Sequence, residues 1–133
     1  MRTLNQILND ELSLYLKTWN YHWNVEGAQF AALHALFEEQ YSGLQPLIDE
    51  LAERIRALGG HAGTDVQARI DGAKDAAGML AALAEGHESL SRRLREEAIP
   101  EYERAGDPGT VDLLTRAVQF HDKAAWMLRA SAR

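Results

Sequence analysis

The chain has 133 residues, no cysteine, and 20 acidic against 14 basic side chains, a formal charge of −6. That length predicts one domain, residues 1–133, and the lack of cysteine excludes disulfides and thiolate metal sites, so any metal must be held by His, Asp or Glu. The acidic balance disfavours phosphate backbones, which are bound by clustered Lys and Arg, and no apolar run approaches the ~20 residues of a membrane span.

The first apolar stripe runs through Leu4, Ile7, Leu8, Leu12, Tyr15 and Trp19 at helical spacing, fading near Asn24 and ending before Gly27. Met1 leads into this polar, helix-like segment rather than into an apolar signal, so a cytoplasmic protein is expected. The second stripe, from Phe30 through Leu33, Phe37, Tyr41, Leu44, Ile48, Leu51, Ile55 and Leu58, stops at Gly59-Gly60, a good helix terminus. A polar, glycine-richer connection follows to about Gly72, with a short helix expected at Val66–Ile70. A third helix is expected from Ala73 into the 96–104 region, with Pro100 kinking it or ending its regular part. Asp107-Pro108 suits the start of a fourth, Asp as N-cap and Pro in the first turn; Leu114, Val118, His121, Ala125 and Leu128 then recur at helical spacing. Four helices with one longer central connection read as an all-α four-helix bundle.

The chemistry-bearing residues lie between His22 and Glu53. His34 and Glu38 are four apart, as are Asp49 and Glu53, so each pair shares a helix face. With His34 at 0° and ~100° per residue, Glu38 falls near 40°, Asp49 near 60° and Glu53 near 100°. The apolar stripe spans roughly −120° to −20°, so these four polar residues form their own face beside the core. One helix cannot bring them to one metal, because His34 and Asp49 stand roughly 22 Å apart along it. A second, antiparallel copy could: His34 would oppose Glu53, Glu38 would oppose Asp49, and the small Ala35 would meet Ala52. Such self-complementarity is what a two-fold contact requires. Spacing alone leaves the plainer reading open, a solvated face with weak Glu50–Arg54 and Glu53–Arg56 pairs.

The stretch KTWNYHWNVEGAQFAALHALFEEQYSGLQPLIDELAERIRALGG, Lys17–Gly60, resembles the Dps family (DNA-binding protein from starved cells) of the ferritin-like superfamily. The resemblance rests on the HWN motif at His22–Asn24, the Leu33-His34 pair and the acidic pattern Asp49–Arg54. It continues more weakly through AGDPGT at Ala105–Thr110 and FHDKAAWMLRA at Phe120–Ala130. It implies a ferritin-like bundle in a twelve-subunit shell and a ferroxidase centre between subunits. His22 and His34 would come from one chain and Asp49 and Glu53 from its neighbour, with iron in two metal positions and peroxide or dioxygen as oxidant. Glu38 stands where the family often has Asp; its longer side chain leaves direct ligation or a supporting contact as alternatives. By the same resemblance Trp23, beside a ligand, is a radical sink or a packing residue, and Asp107 and Asp112 are candidates for an acidic three-fold pore, with helix capping as the other role of Asp107.

The family's basic DNA-binding arm has no counterpart here: only Arg2 is basic at the N-terminus, and Arg129 and Arg133 make a small C-terminal patch, so direct DNA binding is disfavoured. Ordinary ferritin sites use Glu-x-x-His within one bundle, and none of the five histidines has Glu three positions before it. His61 and His87 are expected at the surface or in accessory roles, and His121, on the apolar stripe, in the core. The function expected is Fe(II) oxidation and storage of ferric mineral. The alternatives are a DNA-compacting protein with a vestigial metal site and a non-ferritin di-metal bundle.

Overall fold

The computed structural model describes residues 1–66, 70 and 75–133. Its helices are α1 (Arg2–Asn24), α2 (Phe30–Ala57), α3 (Ala76–Arg93), a π-helical turn (Leu94–Ala98), α4 (Ile99–Arg104) and α5 (Pro108–Ser131). The segment from α3 through the π turn to α4 is one continuous rod, so the architecture is a four-helix bundle. No strand occurs among the described residues. The short helix expected at Val66–Ile70 falls on 67–69, outside the described residues.

Side-chain contacts give the topology. Helix α1 runs antiparallel to the third rod: Thr3 bonds Glu101, Gln6 bonds Arg93, and Leu14 lies against Gly86. Helices α2 and α5 are also antiparallel, with Arg54 on Asp107, Glu50 on Arg116, and Gly43 under the Phe120 ring. The bundle is thus two helical hairpins, α1–α2 and α3–α5, joined by one long crossover. The crossover leaves α2 beside Met1, whose side chain abuts Gly60. By Ala76 it has reached the opposite end, where Ala76 and Ala77 share a cleft with Glu26–Gln29. Asn5 and Asn9, one turn apart on α1, hold its first stretch. Asn5 donates to the His61 carbonyl and accepts from Gly63 N; Asn9 donates to the Gly63 carbonyl and accepts from Asp65 N. Two side-chain amides thereby satisfy backbone groups that have no ladder to join.

The core follows the apolar stripes: Leu4, Ile7, Leu8, Phe37, Leu44, Leu51, Ile55, Leu83, Leu94, Leu114 and Leu128 are all buried. Gly59, at φ +90°, ends α2 in the left-handed region that glycine tolerates. Asp75 caps α3, accepting from Gly78 N at 2.8 Å; the expected start at Ala73 lies outside the described residues. Pro100 does not end the third rod. A proline lacks the N–H for the i−4 bond and its ring collides with that carbonyl; here the turn before it widens, Ile99 N bonding Leu94 O five residues back, which accommodates the ring and lets the helix continue to Arg104. Pro46 sits within an unbroken α2.

Candidate metal centre

Helix α1 ends and α2 begins on two histidines that clasp each other. His22 Nδ1 lies 2.7 Å from the His34 carbonyl, and His34 Nδ1 lies 2.7 Å from the His22 carbonyl. A carbonyl only accepts, so both Nδ1 atoms carry hydrogen, and in each neutral ring the lone pair is on Nε2. This backbone-anchored tautomer is the one a metal-binding histidine needs. The rings stack at 3.7 Å; Phe30 stacks on the outer face of His34 at 5.0 Å and Tyr41 meets His22 edge-on at 5.3 Å.

Glu38, one turn along from His34, places Oε1 3.9 Å from His22 Nε2. That is too long for a hydrogen bond and a spacing at which one cation can reach both atoms. Three of the five residues singled out in the sequence, His22, His34 and Glu38, therefore gather at one end of the α1–α2 hairpin. Asp49 and Glu53 do not join them: they sit four and five turns further along α2. The Glu53 carboxyl is held above its usual pKa by a hydrogen bond with Asp49, then by that residue's charge, burial and Glu50. A cation beside the two carboxylates would relieve the repulsion that raises Glu53. Among the described residues of one chain, no three His, Asp or Glu side chains converge on a metal position.

Trp23 is 56% exposed and packs on Trp19 at 4.8 Å; Trp19 contacts Tyr15 and Tyr41, linking the patch back to His22. Tyr41's hydroxyl is pushed above its ordinary pKa by burial, then by the charge of Glu38 and by Tyr15. At the other end of α2, Asp107 caps α5 through Thr110 N and takes a 2.7 Å bond from Arg54, whose Nε also reaches Thr110. Its carboxyl is held below the usual range by the Thr110 hydroxyl and amide and by the Arg54 guanidinium. Asp112 is exposed and pairs with Arg116 at 3.3 Å. Arg54 and Glu50 thus serve α5 rather than pairing with each other along α2.

The surface role expected for His87 is overturned. It is wholly buried, its Nδ1 2.8 Å from His121 Nδ1, while His121 Nε2 reaches Glu11 at 2.6 Å. His121 is a core histidine, as its stripe position predicts. Glu11, equally buried, is the partner that sequence reading missed; its place one turn after Ile7 and Leu8 on the apolar face was the available signal. His61 stays at the surface, its carbonyl bonded by Asn5. No helix of the described residues is long and apolar enough to cross a membrane.

Known proteins of this shape carry the same bundle. A ferritin-like domain model matches residues 1–133. DNA protection during starvation protein 2 of Bacillus anthracis is 35% identical, the match covering 98% of this chain and 94% of that protein. An uncharacterized low temperature-induced protein of Nostoc is 40% identical over 96% of this chain and 76% of its own length. Among solved structures, Dps from Thermosynechococcus elongatus superposes with a TM-score of 0.92 at 33% identity, covering 98% of this chain and 88% of that one. Dps from Vibrio cholerae O1, described as a member of a broad superfamily of ferritin-like diiron-carboxylate proteins, gives 0.90 at 33% identity, covering 99% and 87%. With the bundle, the crossover and the full-length match together, the chain belongs to the ferritin-like family and is a Dps-type mini-ferritin.

Proposed function

We propose that this protein oxidises Fe(II) at centres shared by two subunits and retains the ferric product inside a closed shell, twelve subunits being the family's number, in the cytoplasm. The observation that carries the reading is the reciprocal His22–His34 clasp. It fixes two imidazoles with free Nε2 lone pairs beside Glu38, while the other two carboxylates of the candidate set lie roughly 22–28 Å from His34 along α2. A two-fold partner laid antiparallel on α2 supplies Asp49 and Glu53 to His22 and His34, completing a nitrogen- and oxygen-donor set with open positions that suits Fe(II). Two iron ions per centre balance the chemistry: two Fe(II) and one hydrogen peroxide give two Fe(III) and two hydroxides. Dioxygen is the alternative oxidant. The carboxylates hold the more highly charged product, the exposed Trp23 beside His22 would serve as a radical sink, and Asp112, exposed on the first turns of α5, is the pore candidate that would draw iron inward. Asp107 is occupied by its cap and by Arg54.

Co-assembly tests the shared site. His34→Ala and Asp49→Ala homo-oligomers each oxidise Fe(II) slowly. In a mixed two-fold pair, one centre combines both defects and the other takes His34 and Asp49 from the unaltered positions, so activity returns in proportion to mixed pairs. Verified co-assembly without rescue places all ligands of a centre in one chain and refutes the reading.

A further inference from the structure

Inside the rim of polar contacts that joins the two hairpins, such as Gln6–Arg93 and Arg54–Asp107, a fully buried hydrogen-bonded chain of titratable side chains crosses the seam. Glu11 on α1 contacts His121 on α5 (Oε1 to Nε2, 2.6 Å), and His121 contacts His87 on α3 (Nδ1 to Nδ1, 2.8 Å). All three side chains are fully buried, and the two outer atoms, Glu11 Oε2 and His87 Nε2, have no partner. Burying three polar side chains in a bundle core is costly unless their hydrogen bonds are kept, so the number of protons the chain can hold is a structural quantity.

Counting them is direct. Each contact takes one hydrogen. With Glu11 ionised, one lies on His121 Nε2 and one between the two Nδ1 atoms, leaving His87 Nε2 bare and one negative charge on the chain. A third proton fits on His87 Nε2 without disturbing either contact, and it neutralises the chain. A fourth does not fit. Placed between the Nδ1 atoms, it sets N–H against N–H at 2.8 Å; placed on Glu11, it removes the anion and leaves an imidazolium alone in the core. We propose that Glu11–His121–His87 is a proton-counting latch between the two helical hairpins, which clasps them while it holds up to three protons and lets them part when acid supplies a fourth.

The surroundings leave the count to these three groups. Helix α2 faces the seam with the uncharged Gln40, whose amide donates to the Ala124 carbonyl, and with Gly43. From α5, besides His121, the Phe120 ring lies beside both imidazoles. From α3, Ser91, one turn beyond His87, donates to the exposed Asp122. From α1, Glu11 is the charged group; its neighbour Asp10 turns outward to Arg93, and Glu88 likewise to Arg129, in partly exposed ion pairs. Burial, and then the charge of His121, push His87 down to about 3, the behaviour of a site that refuses a proton while its neighbour is charged.

The test is acid unfolding of the full-length protein at fixed concentration, followed by far-ultraviolet circular dichroism and tryptophan fluorescence from pH 7 to 2, with denaturant melts at each pH giving the protons taken up on unfolding. His87→Phe keeps the volume and removes the last proton site; His87→Gln is the second variant should the phenylalanine form not fold. Between pH 6 and 4 the wild-type unfolding constant rises about tenfold more steeply per pH unit than either variant's, which is one proton fewer taken up, and the variants' acid midpoint falls by about one unit. Glu11→Gln keeps an acceptor but starts one negative charge short, so its midpoint rises. Equal proton uptake in wild type and both His87 variants, or a Glu11→Gln midpoint that falls, overturns the latch.

Discussion

Asp107→Ala separates the two roles the sequence leaves to that residue. The side chain accepts from Thr110 N at 3.1 Å as the N-cap of α5 and from Arg54 at 2.7 Å, joining the end of α2 to the start of α5. Loss of an N-cap costs ~1 kcal/mol, and loss of a charge-assisted bond from a half-buried guanidinium a further ~1–2 kcal/mol. The sum, ~2–3 kcal/mol, lowers the melting temperature of a 133-residue domain by roughly 6–12 °C, read by circular dichroism in chelator so that bound metal does not add stability. Arg54→Ala destabilises through the same contact, so the double variant loses less than the sum, by ~1 kcal/mol. The carboxyl is depressed in the folded state, so its contribution is fully present above its unfolded pKa near 4 and is lost as pH falls through the lower folded value. Asp107→Asn keeps the cap and loses the charge, so it falls between the two. If Asp107→Ala melts within 2 °C of wild type yet slows iron uptake, the capping argument is wrong and Asp107 belongs to a pore.

Three further outcomes follow from other parts of the molecule. Linear duplex DNA is not shifted at near-physiological salt and neutral pH, because the chain carries a formal −6; tight binding without divalent metal would contradict this. Fe(II) or Zn(II) affinity, read by titration calorimetry, weakens as pH falls from 7, because protons compete with the cation for the two imidazole Nε2 atoms and for the Glu53 carboxyl, which Asp49 holds above its usual range; an affinity flat from pH 7 to 5 would count against this ligand set. Asn9→Ala removes the bonds to Gly63 O and Asp65 N and costs ~1–2 kcal/mol, with hydrogen exchange rising first in 61–66; unchanged protection there would show the crossover is held by something else.

How much of this was legible without coordinates depends on the distance over which each feature is specified. Helical stripes are local, so α1, α2 and α5 lie where the spacing of Leu4–Trp19, Phe30–Leu58 and Leu114–Leu128 predicts, and the Asp107-Pro108 start is a signal two residues long. His22 and His34 were brought together by the family resemblance rather than by spacing; their contact crosses twelve positions and one short loop. Pro100 was visible, but its consequence was not, because whether a proline breaks a helix or is absorbed by a wide turn depends on packing at Leu94 and Ala98. His87 misled for the opposite reason. Its direct partner is 34 positions away on α5, and that residue's own partner, Glu11, lies 110 positions before His121 on α1, and no window around residue 87 contains either.

The candidate centre and the core chain fall on different seams for a physical reason. The antiparallel register of α2 with a second copy requires a helix face free of its own bundle, and His34, Glu38, Asp49 and Glu53 occupy the arc from 0° to ~100° outside the apolar stripe. Polar groups on that face stay hydrated until a partner or a cation arrives, so they can be acidic and closely spaced without unfolding the subunit. Glu11, His87 and His121 have no such freedom, since they meet in the interior and must satisfy one another as the chain folds. In the proposed reading, metal chemistry falls where the subunit ends, and proton accounting where its two halves join. A substitution in the first group should alter iron handling at nearly constant subunit stability, and one in the second should alter the acid limit of the fold with the His22–His34 clasp intact. His34→Ala and His87→Phe, compared in one buffer for iron oxidation and for acid midpoint, make the separation measurable: each is expected to move one quantity and spare the other, and a variant that moves both would show that the two seams are coupled.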